Sequence, residues 1–424
     1  MTESITTRPL ATPKGLRLHL GIFGRRNAGK SSLLNALTRQ HTSIVSDSAG
    51  TTTDPVEKPM ELLPIGPVLF IDTAGIDDEG SLGQLRIEKT VQIFDRTEIG
   101  LLVVDLTLDK PWDSVEDHII RELSKRNIPV LVVLNKGDLA VPPEELLERF
   151  TKLQIPWVVT SGLNRNPEST GADNRSLSRV KEALVRIVPE DFLADPHVVS
   201  DLIPTNELVV LVVPIDKEAP KGRLILPQVQ TIRDLLDGHQ MTLVVQETQL
   251  AAALARCATP PALVVTDSQV FKSVDEIVPN EIPLTSFSIL FARQKGDLLA
   301  MARGARSLAT LKKNARILIA ESCSHHPIAD DIGTCKIPNW LRRELGSEIE
   351  IGHVHGHDFP DDDELASWDL VIHCGACMTN RKEILTKLAR CQALGIPMTN
   401  YGLAIAWLHG ILDRAMQIFE RSQT

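Results

Sequence analysis

The chain has 424 residues, a formal net charge of −10, 43% hydrophobic residues and 24% charged residues. This length predicts several domains with separate cores, and this composition excludes disordered, collagen-like and coiled-coil chains. The negative charge argues against nucleic acid as the main partner, because phosphate binding usually requires a basic face.

The start of the chain, "MTESITTRPLATPKG", has an early Glu and no apolar core, so we expect no secretory signal. The strongest apolar runs, such as "LVVLVVP" (208 to 214), are too short to span a bilayer. We therefore expect a cytoplasmic protein without membrane contact. There the six cysteines stay reduced, and clustered cysteines indicate metal ligands or catalytic thiols.

Short apolar runs alternate with helical patterns along residues 1–190. Strands are predicted at "LRLHLGIFG", "VLFIDTAG", "GLLVVDL", "IPVLVVLNKGD" and "IPWVVTSG", with helices such as "KSSLLNALTRQ" and "VEDHIIRELSKRN" among them. This alternation indicates βαβ units and a mostly parallel sheet.

Two smaller α/β units are predicted after a proline-containing stretch near 190 to 204. Counted after residues 1–190, the second predicted domain covers residues 198–272 and has no recognisable motif. The third predicted domain covers residues 276–424 and contains a long predicted helix, 288 to 311. The predicted fold is therefore a three-domain α/β chain.

The segment "GRRNAGKS" (24 to 31) fits the G-x-x-x-x-G-K-[ST] pattern of a phosphate-binding loop. It follows a predicted strand and opens a predicted helix, whose N-terminus favours an anion. Lys30 is expected to reach the β- and γ-phosphates, and Ser31 to hold Mg²⁺. The predicted nucleotide contacts of this segment are Gly24, Asn27, Ala28, Gly29, Lys30, Ser31 and Ser32.

Two further segments fit the Mg²⁺ and γ-phosphate part of such a site. "DTAG" (72 to 75) ends a predicted strand, so that Asp72 can contact the Mg²⁺ shell and Gly75 can sense the γ-phosphate. "GTTTD" (50 to 54) lies between the loop and "DTAG", where the hydroxyl of Thr52 can complete the Mg²⁺ shell.

The base-recognition part is predicted from "NKGD" (135 to 138) and "TSG" (160 to 162). Asp138 can accept hydrogen bonds from guanine N1–H and N2–H₂, and adenine has no exocyclic amino group at that position. A backbone N–H of "TSG" can reach the guanine O6. The predicted contacts of these segments are Asn135, Lys136, Asp138, Ser161 and Gly162.

Together these segments resemble a translation-factor-class GTPase, and specifically its TrmE/Era-like branch. The resemblance implies GTP and GDP as ligands. Ile76 stands where many small GTPases carry the glutamine that orients water, so slow intrinsic hydrolysis is expected. In this branch an Asn at the position of Asn27 helps to hold K⁺, which implies K⁺-stimulated hydrolysis. The predicted catalytic residues are Lys30, Asn27, Thr52 and Asp72.

Thiols follow two predicted strands of the third predicted domain, residues 276–424. "ARILIA" leads into "ESCSHH" with Cys323 and His325, and "DLVIHC" leads into "GAC" with His373, Cys374 and Cys377. If these strands are parallel neighbours, the three cysteines converge at one carboxyl edge, where open α/β sheets place ligands. Three thiolates and one nitrogen suit tetrahedral Zn²⁺, and three thiolates with a replaceable ligand suit a 4Fe–4S cluster.

A TrmE/Era-like GTPase followed by Cys-x-His and a distant His-Cys-x-x-Cys resembles the HydF family of [FeFe]-hydrogenase maturation factors. The resemblance implies a 4Fe–4S cluster on Cys323, Cys374 and Cys377 with an exchangeable fourth position. His325 and His373 are each either the fourth ligand or a donor beside the cluster. The resemblance further implies a homodimer formed by the second predicted domain, residues 198–272. It also implies a di-iron precursor that is made with the maturases HydE and HydG and delivered to the apo-hydrogenase.

The alternative is an RNA- or ribosome-associated GTPase with a structural zinc domain. The acidic balance and the lack of a basic, aromatic-studded surface disfavour it. A redox enzyme is disfavoured because three thiolates leave one iron open.

Overall fold

The computed structural model describes residues 12–39, 55–73, 90–161, 172–189, 192, 196–215, 224–322 and 331–421. The chain divides into two compact units, Met1–Asp195 and Pro196–Thr424. In the described ranges, the first unit contains a six-stranded sheet and the second contains two four-stranded sheets. The observed architecture is an N-terminal α/β domain followed by two further α/β sheets, as predicted.

The sheet of the first unit has the order β2-β3-β1-β4-β5-β6. All neighbouring strands are parallel except β2, which runs antiparallel to β3. The strands are β1 (Leu18–Phe23), β2 (Val56–Leu62), β3 (Gly66–Asp72), β4 (Ile99–Asp105), β5 (Val130–Asn135) and β6 (Trp157–Val159). Pro59 lies within β2, a position that only an edge strand tolerates, and sequence analysis did not predict this strand.

Helices cover both faces of this sheet. They include α1 (Lys30–Arg39), α2 (Ser114–Lys125), α3 (Glu144–Leu153) and α4 (Ala172–Ile187). One core joins α1 and α4 to the sheet, for example through Leu37 and Val180, and a second joins α2 and α3 through Leu123 and Phe150. Because its inner strands are buried on both faces, they are nearly all apolar.

The first sheet of the second unit has the order β10-β9-β7-β8, with parallel neighbours. Its strands are β7 (Leu208–Val212), β8 (Met241–Val245), β9 (Leu263–Thr266) and β10 (Leu284–Ser286). Its helices are α5 (Leu226–Asp237), α6 (Leu250–Leu254), α7 (Phe271–Ile277) and α8 (Phe287–Lys295).

The other sheet has the order β12-β11-β13-β14, again with parallel neighbours. Its strands are β11 (Arg316–Glu321), β12 (Glu350–His355), β13 (Leu370–His373) and β14 (Met398–Asn400). The helices of this part are α9 (Leu298–Arg306), α10 (Ile337–Leu345), α11 (Asp362–Leu365), α12 (Arg381–Ala393), α13 (Tyr401–Leu408) and α14 (Leu412–Arg421).

The long helix predicted over 288 to 311 is two helices, so that prediction is wrong in its length. α8 ends at Lys295, Gly296 is extended, and the Asp297 side chain accepts a hydrogen bond from the Ala300 N–H at 2.9 Å. Asp297 therefore caps the new helix α9, which an aspartate does well at an N-terminus.

One continuous apolar core connects the two sheets of the second unit. It extends in sequence from Val198 to Phe419 and includes Leu290 and Phe291 of α8. Among the described residues, no helix combines the length and the apolar character that a bilayer crossing requires.

Candidate functional site

The phosphate-loop segment connects β1 to α1 and depends on two glycines. Gly24 has φ 139° and Gly29 has φ 99°, conformations that favour glycine. A Cβ on Gly24 would lie 2.3 Å from the Val103 carbonyl oxygen, and one on Gly29 would lie 2.1 Å from Asn135 Nδ2. The loop therefore packs its backbone directly against β4 and β5.

The lysine of this loop is folded against it. Lys30 Nζ donates to the carbonyl oxygens of Gly24 at 2.9 Å and Arg25 at 2.7 Å. Asn27 is exposed at the outer tip with φ 60°, a region that Asn tolerates better than most residues. Lys30 and Asn27 are thus both in the loop where a phosphate chain is expected.

The predicted Mg²⁺ residues meet at the end of β3. Ser31 Oγ donates to Asp72 Oδ2 at 2.6 Å. Asp72 Oδ1 is buried without a hydrogen-bond partner among the described residues, and burial raises the pKa of this carboxyl although Ser31 opposes the shift. A hydroxyl and an orphaned carboxylate oxygen fit Mg²⁺, which prefers oxygen ligands. Thr52 and Gly75 lie outside the described residues.

Asn135 joins three parts of the nucleotide site. Its Nδ2 donates to the Ala28 carbonyl oxygen at 2.9 Å, and its Oδ1 accepts from Thr160 Oγ1 at 3.1 Å. The Thr160 carbonyl accepts from the Gly137 N–H at 2.9 Å. Sequence analysis assigned Asn135 to the nucleotide and included Thr160 in the "TSG" segment without giving it a role of its own. The structure places both residues at the junction of the loops.

The remaining base-recognition residues surround this junction. Lys136 has φ 64° and donates to Asp105, and Asp138 is exposed beside it. Ser161 follows the buried Thr160 and is half-buried, as is Ser32 at the other end of the site. Gly162 lies outside the described residues.

An ion pair that sequence analysis did not identify anchors the phosphate loop. Arg25 Nε and Nη2 donate to the two carboxylate oxygens of Glu116, each at 2.8 Å. Glu116 is 1% exposed and also accepts from the Asp113 N–H in the capping box of α2. The sequence signal was Arg25 itself, directly after the first glycine of the loop.

The thiols of the second site lie at one carboxyl edge. β11 and β13 are parallel neighbours with Ala320 opposite His373. The Cys374 N–H donates to the Ala320 carbonyl at 2.8 Å, and the Ser322 N–H donates to Cys374 Sγ at 3.2 Å. Cys374 and Cys377 are both half-buried, and the turn between them contains Ala376 with φ 55°.

Cys323 and His325 lie outside the described residues, as do all positions from 323 to 330. Within the ranges that the structure describes, no group of three or more His, Cys, Asp or Glu side chains is arranged to hold a metal ion. The described edge therefore supplies two thiols of the predicted three.

His373 is 1% exposed, and both its ring nitrogens have partners in the protein. Nδ1 is 3.0 Å from the Cys374 carbonyl oxygen, and Nε2 is 3.4 Å from Lys387 Nζ. Burial, with Lys387 beside the ring, lowers the pKa of His373 to about 3. This neutral ring donates through Nδ1 and accepts through Nε2. Lys387 pairs in turn with the buried Glu383 at 2.8 Å.

The thiol edge also carries Glu321, which lies between two partners. Tyr401 OH donates to its Oε1 at 2.8 Å, and His355 Nδ1 is 3.2 Å from its Oε2.

A lysine that sequence analysis did not identify lies under the cysteine loop, which we define as residues 374–379. Lys295 Nζ donates to the carbonyl oxygens of Thr379 at 2.7 Å and Ala376 at 2.8 Å, with Cys377 O at 3.4 Å. Burial lowers the pKa of Lys295 to about 8, against the opposing effect of Cys377 and Cys374. A lysine at the end of an apolar helix gives no sequence signal of such a role.

Three family models match the chain, one after another. "50S ribosome-binding GTPase" matches residues 19–136, "Hydrogen maturase F dimerization domain" matches 198–296, and "Hydrogen maturase F tetramerization domain" matches 299–418. The first contains the phosphate loop, and the last contains the cysteine loop.

Curated relatives match the N-terminal part alone. GTPase Der of Wolinella succinogenes is 35% identical over 179 residues, 40% of this chain and 36% of Der. The tRNA modification GTPase MnmE of Helicobacter pylori is 40% identical over 147 residues, 34% of this chain and 31% of MnmE. The chain thus spans about a third of the length of these relatives. The structure of Aquifex aeolicus Era bound to GDP and aluminium fluoride is 21% identical, with a TM-score of 0.32, and the match covers 54% of this chain and 93% of Era.

Proposed function

The chain belongs to the hydrogen maturase F family, and we propose that it is a GTP-binding and GTP-hydrolysing carrier for metallocluster assembly. In this proposal the second unit binds a 4Fe–4S cluster through Cys323, Cys374 and Cys377. The carrier accepts a di-iron precursor made with HydE and HydG and delivers it to the apo-hydrogenase.

The observation that carries the proposal is the contact of the Ser322 N–H with Cys374 Sγ at 3.2 Å. Cys323 follows Ser322 directly in the chain. Because β11 and β13 are parallel neighbours, the residues after both strands emerge at one edge of the sheet. We infer that Cys323 joins Cys374 and Cys377 there.

The chemistry of the donors fits an iron–sulfur cluster. Thiolates are its usual ligands, and N–H groups directed at sulfur, such as that of Ser322, tune its reduction potential. A cluster held by three cysteines would supply an iron with a replaceable ligand, where cargo can attach. The chain's own residues hold the thiols at the rim of the sheet, where both described cysteines are partly accessible.

We propose that His373 positions the cysteine loop instead of binding iron. Its ring is buried, and each nitrogen is engaged by Lys387 or by the Cys374 carbonyl. Ligation by this ring would require breaking one of these contacts. His325 remains the histidine candidate for the fourth position.

The first unit is proposed to bind and hydrolyse GTP with Mg²⁺. Lys30 and the loop N–H groups contact phosphates, Ser31, Asp72 and Thr52 serve the Mg²⁺ shell, Gly75 senses the γ-phosphate, and Asp138 with the Ser161–Gly162 backbone selects guanine. Mg²⁺ would supply charge neutralisation of the phosphates. Asn27, exposed at the loop tip, is proposed to contribute to a K⁺ site.

The K⁺ proposal is tested by GTP turnover in matched KCl and NaCl. We expect faster turnover in K⁺ for the natural protein, and a loss of this preference in Asn27→Ala. Equal rates in both salts for the natural protein would refute the K⁺ role.

Oligomerisation is supported by the two maturase F domains, and we propose the homodimer as the basic assembly, formed through residues 198–296. HydE, HydG and the apo-hydrogenase are proposed partners, and nucleic acid is not.

The central experiment is anaerobic reconstitution with iron and sulfide, followed by metal analysis and EPR. We expect a brown protein with about four iron atoms and about four sulfides per chain. Cys323→Ser, Cys374→Ser and Cys377→Ser should each lose most of the iron. Cys257→Ser is the matched control, because the Cys257 thiol donates a hydrogen bond to the Ala253 carbonyl oxygen, one helical turn earlier in the chain. His373→Ala should leave the ligand signature in EPR unchanged.

A colourless protein with one tightly bound zinc would overturn the carrier proposal. That result would instead favour the RNA- or ribosome-associated GTPase with a structural zinc domain.

A further inference from the structure

Lys295 is buried, and its nearest carboxylate influence, Glu383, pairs with Lys387 instead. Its side chain is 3% exposed, and none of the described carboxylates forms an ion pair with it. Among the described residues its hydrogen bonds go to backbone carbonyls alone, and its Nζ lies 5.6 Å from the centre of the Phe291 ring. A buried charge normally requires a counter-charge, since removing an ion from water is strongly unfavourable.

The three carbonyl groups that Lys295 contacts all belong to the cysteine loop. Thr379 and Ala376 accept at 2.7 and 2.8 Å, and Cys377 lies slightly farther away. Three donors on one ammonium thus match three acceptors of one short loop. Three groups that can be anionic act on Lys295: the thiols of Cys377 and Cys374 have the larger effects, and the Glu383 carboxylate has the smallest.

We propose that Lys295 is a positioning residue of the thiol site: it holds the cysteine loop in shape and supplies the fixed positive counter-charge for the metallocluster bound there. This inference rests on the proposed function. It assigns a residue from outside the thiol segments to the cluster environment.

The position of Lys295 in the chain gives this role a wider consequence. It is the last residue of α8, within the range that matches the dimerisation domain, whereas the loop lies in the range that matches the tetramerisation domain. The two preceding residues bind elsewhere: Arg293 pairs with Asp201, and Gln294 Nε2 donates to the Pro196 carbonyl at 3.1 Å. One helical turn thus connects the start of the second unit to the cysteine loop.

The first test uses the full chain without iron. Amide hydrogen exchange of residues 374–380 is compared among the natural protein, Lys295→Met and the surface control Lys313→Met. Loss of the three carbonyl contacts should speed exchange in this segment at least tenfold in Lys295→Met alone. Unchanged protection would show that Lys295 does not hold the loop.

The second test measures the reduction potential of the reconstituted cluster in Lys295→Gln and Lys295→Arg. Gln keeps hydrogen-bond donors but removes the charge, so that the equilibrium constant for one-electron reduction should fall about tenfold, or about 59 mV. The reduction potential of the cluster in Lys295→Arg should stay close to that of the natural protein. A natural potential in a fully loaded Lys295→Gln variant would overturn the counter-charge role.

Loading distinguishes the remaining outcomes. If Lys295→Gln takes up no cluster, normal cluster uptake by Lys295→Arg supports the counter-charge role. If neither variant takes up a cluster although amide exchange in the cysteine loop is unchanged, the counter-charge role is contradicted. If the natural protein takes up no cluster, the proposed function fails, while the exchange experiment still decides whether Lys295 holds the loop.

Discussion

Arg25 shows how a single residue ties the phosphate loop to a neighbouring helix. Its guanidinium forms a fork with the buried Glu116 carboxylate and also pairs with Asp113 at 2.5 Å. Such bidentate pairs are geometrically specific and stronger than neutral hydrogen bonds. Because Arg25 follows Gly24 directly, this contact fixes the loop at its first turn.

Arg25→Ala should weaken the affinity for both GTP and GDP about tenfold or more. The substitution removes the anchor and leaves a buried carboxylate near the phosphate site, and losing a charged hydrogen bond costs about 1.5–3 kcal/mol. Nucleotide titration calorimetry measures the effect. Arg121→Ala is the matched control, because this exposed arginine lies on the same helix as Glu116 and bonds to the Asp117 carbonyl. Equal affinities in the two variants would contradict the anchoring role.

At the scale of elements, β8 is an edge strand with an exposed apolar surface. It pairs with β7 on one side, and no described strand pairs with the other. Met241 is 56% exposed and Val244 is 42% exposed, and both lie in the range of the dimerisation domain. Exposed apolar edge strands readily pair with another chain unless they are covered. The second copy of this chain is the occupant we propose.

Met241→Lys combined with Val244→Lys should raise the dissociation constant of the proposed dimer at least tenfold. Lysine on an edge opposes pairing by charge and by desolvation. Sedimentation equilibrium of the double variant measures the shift. Leu153→Lys serves as control, since Leu153 is also an exposed apolar residue but lies in the first unit. A double variant that stays dimeric would place the interface elsewhere.

The break between α8 and α9 illustrates what local patterns miss at this scale. The apolar periodicity continues through 288 to 311, and it predicts one helix. Gly296 and Asp297 end one helix and cap the next. Because of this break α8 ends at Lys295, whose ammonium group donates hydrogen bonds to the cysteine loop.

At the scale of the whole molecule, the two sheets of the second unit share one core. That core includes Leu290 and Phe291 of α8, together with Val371 and Leu403 of the following part. The boundary predicted between residues 272 and 276 does not separate the sheets, because β10 (Leu284–Ser286) lies after it and pairs with β9 of the first sheet. The apolar packing also continues across this boundary. The order of the three family models agrees with this arrangement.

Residues 196–424, produced without the first unit, should fold and take up as much iron as the full chain. The reason is that this fragment contains its own core and, in its sequence, all three proposed ligands Cys323, Cys374 and Cys377. A fragment of residues 299–424 is the control, and it should fail, because it lacks α8 and Lys295. Circular dichroism and iron analysis decide the outcome. Poor folding of the longer fragment would contradict the prediction.

The amino-acid sequence predicts the α/β class, the nucleotide motifs with their order, and the cysteines that follow two strands. These features are local, since a phosphate loop or an apolar strand is defined by residues within a short window. The parallel pairing of β11 and β13 was only a condition of the predicted thiol site, and the structure meets this condition. It matters because the carboxyl ends of parallel strands share an edge.

Which side chains meet in the folded protein could not be predicted from local sequence patterns. Arg25 finds Glu116 91 positions away, Lys295 finds Thr379 84 positions away, and His373 turns its ring toward Lys387. The physical reason is that each contact depends on how whole helices pack, which no local pattern of polarity encodes. The sequence identified which residues can perform the chemistry, and packing selected the buried charges that hold them in position.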